Sequence, residues 1–300
     1  MNTDKNTSHS FQAWVMASRP KTLPAAAAGV VMGSALAWHD SSLQPAAAVV
    51  CLLCALLLQI ASNLANDVFD FERGADTPDR LGPTRVTQSG ILTPRQVKTG
   101  LAVVLTLASA LGLYLVYLGG LPILLIGAAA AAAAVAYTGG PFPLGYHGLG
   151  EIMVFLFFGF ASVTGTYYVQ AGVVTPASLW LAIPPGAIIT AILVVNNLRD
   201  LENDRAAGKR TLAVRIGETG TKVEYAALLA AAYAAVPLSV LAGLIPLGGL
   251  LSLASLPLAA AGLHRILTVK GRPLNRALAL TGQTALVFSG LFWGGLLLFP

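Results

Sequence analysis

Apolar runs long enough to cross a bilayer recur along this chain with few interruptions, and that leaves few folds open to it. In hydrocarbon every backbone N–H and C=O must find a partner within the protein, so a run of about 20 apolar residues reads as a helix. Nine candidate runs lie at about 22–38, 45–66, 97–118, 121–138, 150–171, 177–198, 223–243, 245–264 and 277–299. Only 10% of the residues are charged, against about 25% in soluble domains. The expected fold is therefore an all-α membrane protein with about nine transmembrane helices. It forms one domain over residues 1–300 behind a polar N-terminal tail at 1–12. The start, MNTDKNTSHS, lacks the charged region, short apolar core and cleavage site of a signal peptide, so none is expected.

Basic residues set the orientation. Lys5, Arg19 and Lys21 precede the first run. Arg73, Arg80, Arg85, Arg95 and Lys98 follow the second, and Arg199, Arg205, Lys209, Arg210, Arg215 and Lys222 follow the sixth. Arg265, Lys270, Arg272 and Arg276 follow the eighth, completing the 18 Lys and Arg residues of the chain. With nine crossings all of these fall on one side, which the positive-inside rule makes cytoplasmic, as is the N-terminus. Asp40 is then the only Asp, Glu, Lys or Arg outside. A bacterial cytoplasmic (inner) membrane location is expected, with the lipid bilayer as a partner and no nucleic acid. Cys51 and Cys54 lie within an apolar run with no second pair nearby, and read as small hydrophobes.

Two polar clusters 133 positions apart carry nearly the same pattern at the ends of apolar runs. The first is Asn63, Asn66, Asp67 and Asp70; the second is Asn196, Asn197, Asp200 and Asp204. In each an Asn precedes an Asp by four residues and another Asp follows three or four later, spacings that share one helix face. The echo, at 63–76 and 196–204, suggests two pseudo-repeated halves. One such cluster could equally be a solvated helix end. Two together favour a site, because carboxylates at membrane depth are costly unless paired or metal-bound. Mg2+ takes one or two carboxylates plus phosphate oxygens and water, so the opposed faces suit a metal-bound diphosphate.

Cations surround the acids. Arg85, in the segment from Gly82 to Gly90, and Lys209 are the candidates for phosphate contacts, ahead of Arg215, Lys222, Lys270 and Arg272. Inner-loop positive charge required by orientation alone accounts for them equally well. A third inner segment, Tyr137 to Glu151, is rich in Gly and Pro and has no Lys or Arg. Tyr137 and Tyr146 could line a substrate pocket or flank a cation. Glu151 reads as a helix cap, and His147 is a poor candidate for a metal ligand beside phosphate. Tyr167, Tyr168 and Gln170 read as interfacial belt residues. Arg19 and Lys21, around Pro20, open the first run.

These phrases resemble the UbiA superfamily of intramembrane prenyltransferases over essentially the whole length. The features that carry the resemblance are Arg19-Pro20-Lys21-Thr22-Leu23-Pro24, the Asn63–Asp70 cluster with Gly74 and Asp76 beyond it, Gly82-Pro83 through Arg85, Gln88 and Gly90, and Tyr137-Thr138-Gly139 through Gly148-Leu149-Gly150-Glu151. Within the superfamily they are nearest to the branch that prenylates 1,4-dihydroxy-2-naphthoate. One departure is that Arg73 and Gly74, not Asp, stand about four residues after Asp70; Asp76 could fill that place. The resemblance implies a bundle enclosing a cavity open to the cytoplasmic face, with Mg2+ held by Asp67, Asp70, Asp76, Asp200 and Asp204. It implies a catalytic set of those acids with Asn63, Asn196, Arg85 and Lys209. Contacts to the substrates, polyprenyl diphosphate and 1,4-dihydroxy-2-naphthoate or a related aromatic acceptor, would come from Lys21, Arg19, Asn66, Asn197, Tyr137, Tyr146 and Arg199. The implied products are pyrophosphate, carbon dioxide and demethylmenaquinone. Rival readings are a transferase for 4-hydroxybenzoate or homogentisate, a CDP-alcohol phosphotransferase (whose motif is absent), and a multi-pass transporter.

Overall fold

In the computed structural model, which describes residues 3–75 and 81–299 with side chains from Phe11 onward, all regular secondary structure is helical. Helix α1 (Thr3–Ser18) leads through a 3₁₀ turn at Pro20–Thr22 into α2 (Leu23–His39) and α3 (Pro45–Glu72), followed by α4 (Pro94–Ala136). The later elements are α5 (Gly150–Ala171), α6 (Pro176–Arg199), the short α7 (Leu201–Ala206), α8 (Leu212–Leu241), α9 (Leu247–Thr268) and α10 (Leu274–Leu298). Proline stands in the first turn of α2, α3, α4 and α6, where its missing N–H costs nothing. Thr93 closes a capping box with Gln96 at the start of α4, and the Thr211 hydroxyl accepts from Val214 N at the start of α8.

Among the described residues, seven helices are long and apolar enough to cross a membrane: α3, α4, α5, α6, α8, α9 and α10. That number differs from the nine runs expected, for two reasons. The runs at 97–118 and 121–138 share the span α4, as two helical arms that meet at a kink at Gly120, whose φ of 67° and ψ of −152° are not helical. At 1.5 Å per residue the arms 94–119 and 121–136 are about 39 and 24 Å long, each on the scale of a hydrocarbon core of about 30 Å. The first run, α2, has only 17 residues. The seventh starts at Leu212, ahead of the expected 223, and carries Glu218, Lys222 and Glu224 within the helix.

Helix α2 packs against α3, α5 and α10, and α6 against α5, α8 and α10. These contacts make α6 the most enclosed span, with 72% of its apolar window buried. Small residues permit this closeness. A Cβ on Gly159 of α5 would stand 2.7 Å from the Ala182 carbonyl oxygen, against the backbone of α6. Cys51 and Cys54 are free and buried in an apolar cluster with Leu115, Ile123 and Val169, as small hydrophobes.

At the end of the bundle away from the acidic motifs, two belt candidates prove to be interhelical ties. Tyr167 is buried and donates to Asp40 Oδ2 at 2.6 Å. Gln170, also buried, accepts from Gln44 N at 3.1 Å, and Gln44 Nε2 donates to its carbonyl at 2.8 Å. The apolar stretch around them hid polar partners contributed by the α2–α3 turn.

Candidate active site

The last three turns of α3 present Asn63, Asn66, Asp67 and Asp70 toward two other segments. Asp67 is 2% exposed, and its oxygens accept from Val86 N at 3.1 Å and Thr87 N at 2.9 Å. It thereby pins the 82–90 segment, whose Val86, with Leu92 just beyond it, packs beside Leu64 and Val68. A carboxylate has about four lone-pair sites, so these two bonds leave it further acceptor capacity. Pinning the segment delivers Arg85, whose Nη2 donates to Asp70 Oδ2 at 2.6 Å in a buried ion pair. Asp70 also accepts from the Tyr146 hydroxyl at 2.5 Å and lies 3.6 Å from Lys209 Nζ.

The second motif spans the end of α6 and the start of α7. The helix breaks at Asp200, where ψ is 9°. Arg199 is buried, and its Nε and Nη2 grip Asp200 at 2.9 and 2.5 Å. Its remaining donors reach Asn196 Oδ1 and Asn275 Oδ1, each at 2.7 Å. One turn on, Asp204 lies 3.6 Å from the same Lys209 Nζ. Lys209 therefore bridges Asp70 of the first motif and Asp204 of the second, so acids far apart in sequence meet at one end of the bundle. Burial pushes the Asp204 carboxyl up to about 6; Lys209 opposes that rise, while Asp200 and Asp70 add to it.

The glycine- and proline-rich third segment closes the site. The Tyr146 ring lies 4.6 Å from Lys209 Nζ and 5.6 Å from the Arg73 guanidinium carbon, and its carbonyl accepts from Arg210 N at 2.8 Å. Tyr137 is half-buried; burial, then the carboxyls of Glu151, Asp70 and Asp204, raise its hydroxyl above the usual phenol range. It stays a neutral donor. His147 stacks on Phe142, and its Nδ1 bonds the Pro143 carbonyl at 2.9 Å, away from a ligand role.

The structure thus brings together Asp70, Asp200, Asp204, Arg85, Lys209, Tyr137 and Tyr146. Others expected to face substrate hold the scaffold. Asn63 donates to Ser18 O and to Thr22 Oγ1. Asn66 accepts from Thr138 at 3.0 Å, and Asn196 accepts from Arg199. Asn197 donates to Glu151 Oε1 at 2.8 Å, so Glu151 ties α5 to α6 with its carboxylate. Lys21 is exposed on the turn before α2, and Arg19 is half-buried there. Asp76 lies outside the described residues. Arg215 is taken up by the His147 and Arg210 carbonyls, and Lys222 and Lys270 by Glu218, whereas Arg85 and Lys209 stand beside Asp70. Sequence reasoning passed over Asn275, which also donates to the Leu81 carbonyl at 3.2 Å and joins both motifs; a lone Asn before an apolar run gives no signal.

Does this donor set suit Mg2+? Among the described residues no three His, Cys, Asp or Glu side chains converge closely enough to hold an ion alone. The donors are hard carboxylate oxygens, and Asp204 gains proton affinity from burial and from two neighbouring acids. A cation that shares its coordination with phosphate oxygens and water fits such a place.

The fold is thus an all-helical membrane bundle with paired acids and cations gathered at one end. The model of the UbiA prenyltransferase family matches residues 25–283, and the chain belongs to that family of prenyltransferases. It is 42% identical to the 1,4-dihydroxy-2-naphthoate octaprenyltransferase of Escherichia coli (strain K12) over 82% of both chains. To the protein of the same name from Mycobacterium tuberculosis it is 44% identical, over 74% of this chain and 76% of that one. Among solved structures, a UbiA homolog from Archaeoglobus fulgidus bound to GPP and Mg2+ superposes with a TM-score of 0.70 at 16% identity, over 95% of this chain and 99% of that one.

Proposed function

We propose that this chain transfers a polyprenyl group from polyprenyl diphosphate to 1,4-dihydroxy-2-naphthoate, releasing pyrophosphate and carbon dioxide and giving demethylmenaquinone. The observation that carries the reading is the Lys209 bridge between Asp70 and Asp204 at one end of an apolar bundle. The likeness to the E. coli and M. tuberculosis naphthoate octaprenyltransferases supports the acceptor. In the same reading the chain crosses a bacterial inner membrane nine times, α2 and the two arms of α4 making up the number. The N-terminus and the mouth of the cavity face the cytoplasm.

Asp67, Asp70, Asp200 and Asp204, with Asp76, would hold Mg2+, which when bound supplies positive charge to neutralise the diphosphate and ease departure of its oxygen. Arg85 and Lys209 exchange carboxylate partners for phosphate oxygens, a charge-assisted contact that strengthens as the leaving group gains charge. The Tyr146 ring keeps the Lys209 ammonium in place. Tyr137 donates its neutral hydroxyl. Arg199, held by Asn196 and Asn275, orients Asp200. Arg19 and Lys21 hold the acceptor carboxylate, and the apolar bundle receives the prenyl tail.

Purified protein in detergent, given Mg2+, a prenyl diphosphate and equal amounts of 1,4-dihydroxy-2-naphthoate and 4-hydroxybenzoate, separates the acceptors by product mass. Prenylated naphthoquinol with carbon dioxide release is the expected result. Product from hydroxybenzoate alone overturns the acceptor and leaves the transferase class standing.

A further inference from the structure

Arg19 is one of two non-glycine residues with positive φ among those described, at φ 49° and ψ 68°. This left-handed conformation is disfavoured for any side-chain-bearing residue, and more so before a proline, which pushes its predecessor toward extended backbone. Strain of this kind persists only where the surroundings over-determine it. Here they do. Asn63 Nδ2 donates to the Ser18 carbonyl at 3.0 Å and to Thr22 Oγ1 at 2.9 Å. The Thr22 hydroxyl in turn donates to the Arg19 carbonyl at 2.9 Å. Gln59, one helical turn before Asn63, reaches Thr22 Oγ1 at 3.4 Å and Asn63 Oδ1 at 3.3 Å. The backbone on both sides of Arg19 is therefore latched to α3.

The latch belongs to the helix that carries the first acidic motif. Asn63 lies two turns before Asp70 on the same face, about 10 Å along the axis. The turn thus sits level with Asn63, offset along α3 from Asp70 by a distance on the scale of a bicyclic aromatic acid. We infer that Asn63 is a positioning residue: through Thr22 it holds the Ser18–Thr22 turn strained so that Arg19 and Lys21 meet the acceptor carboxylate, and it thereby selects carboxylated acceptors. This rests on the reading above, in which those two cations bind the acceptor.

The test uses the full chain in detergent with Mg2+, a prenyl diphosphate and two acceptors, 1,4-dihydroxy-2-naphthoate and the carboxyl-free 1,4-dihydroxynaphthalene, the latter read as substrate or competitive inhibitor. Thr22→Val is expected to raise KM for the naphthoate about tenfold, the scale of one orienting hydrogen bond. KM for the diphosphate and the affinity for the diol stay within about twofold. Thr22→Ser, which restores the hydroxyl, returns KM to the wild-type value; Thr22→Ala replaces the Val variant if that fails to fold. Asn63→Ala combined with Thr22→Val raises naphthoate KM no further than Asn63→Ala alone, because both act through one latch. Equal effects on both acceptors, a change carried by the diphosphate KM, or additivity overturns the inference. If wild-type protein prenylates 4-hydroxybenzoate instead, the proposed acceptor fails, yet the same comparison against phenol still decides the role of the turn.

Discussion

At the scale of single residues, the acids of the two motifs divide their labour. Asp67 spends two hydrogen bonds on the backbone of the 82–90 segment, while Asp70 and Asp204 face cations. Asp67→Asn leaves one amide oxygen to accept and sets an NH₂ group against a backbone donor. The expected outcome is a fall in prenyl transfer of about 100-fold together with faster proteolysis within residues 82–90, since losing hydrogen bonds to a buried charge costs about 1.5–3 kcal/mol each. Wild-type protease resistance would contradict the pinning role. Asp204 gives a pH dependence. Its carboxyl, pushed up to about 6 by burial, holds a proton below that pH that a metal has to displace. The Mg2+ concentration for half-maximal activity should rise toward about tenfold per pH unit below 6 and level off above it. Lys209→Met removes the charge that lowers the Asp204 pKa, so the inflection moves upward. An unmoved inflection in that variant would assign the titration to another group.

At the scale of elements, the third segment is positioned by close packing that tolerates little change. A Cβ on Gly139 would stand 2.7 Å from the Phe69 ring and 2.9 Å from the Val135 carbonyl oxygen. Gly139→Ala should lower the melting temperature, overpacking costing about 1–3 kcal/mol, and reduce turnover by displacing Tyr146 from Lys209. A variant with unchanged stability and rate would separate this packing from the site. Elements were the most legible scale in the sequence. The Asn and Asp spacings placed the first motif on one helix face because a 3.6-residue period leaves little choice, whereas the second motif runs across the break at Asp200 that spacing did not reveal. Hydropathy found each apolar run, and its division between 97–118 and 121–138 falls where α4 kinks at Gly120. Partnerships between distant residues were not legible. Asn63 with Thr22, Asn197 with Glu151 and Arg199 with Asn275 are set by which helices pack, and no local pattern encodes that. Hence Asn63 and Arg199, expected to face substrate, turned out to hold the scaffold.

At the scale of the molecule, the segregation of basic residues and the meeting of the two motifs make separate claims. Nine crossings put the α5–α6 turn outside and the α9–α10 turn inside. With Cys51 and Cys54 replaced by Ala, Val173→Cys should react with a membrane-impermeant maleimide in intact cells, and Arg272→Cys only after lysis. The reverse pattern would invert the topology. The central claim is that acids from opposite halves of the chain serve one metal-dependent prenyl-diphosphate site. The most direct measurement is prenyl transfer against Mg2+ concentration for wild type, Asp70→Asn and Asp204→Asn in protein of verified fold. A joint site requires each single variant to lose about 100-fold or more, the scale of removing one electrostatic contact from a transition state, and the wild type to fall silent with chelator. Wild-type, Mg2+-dependent turnover in either variant would contradict it.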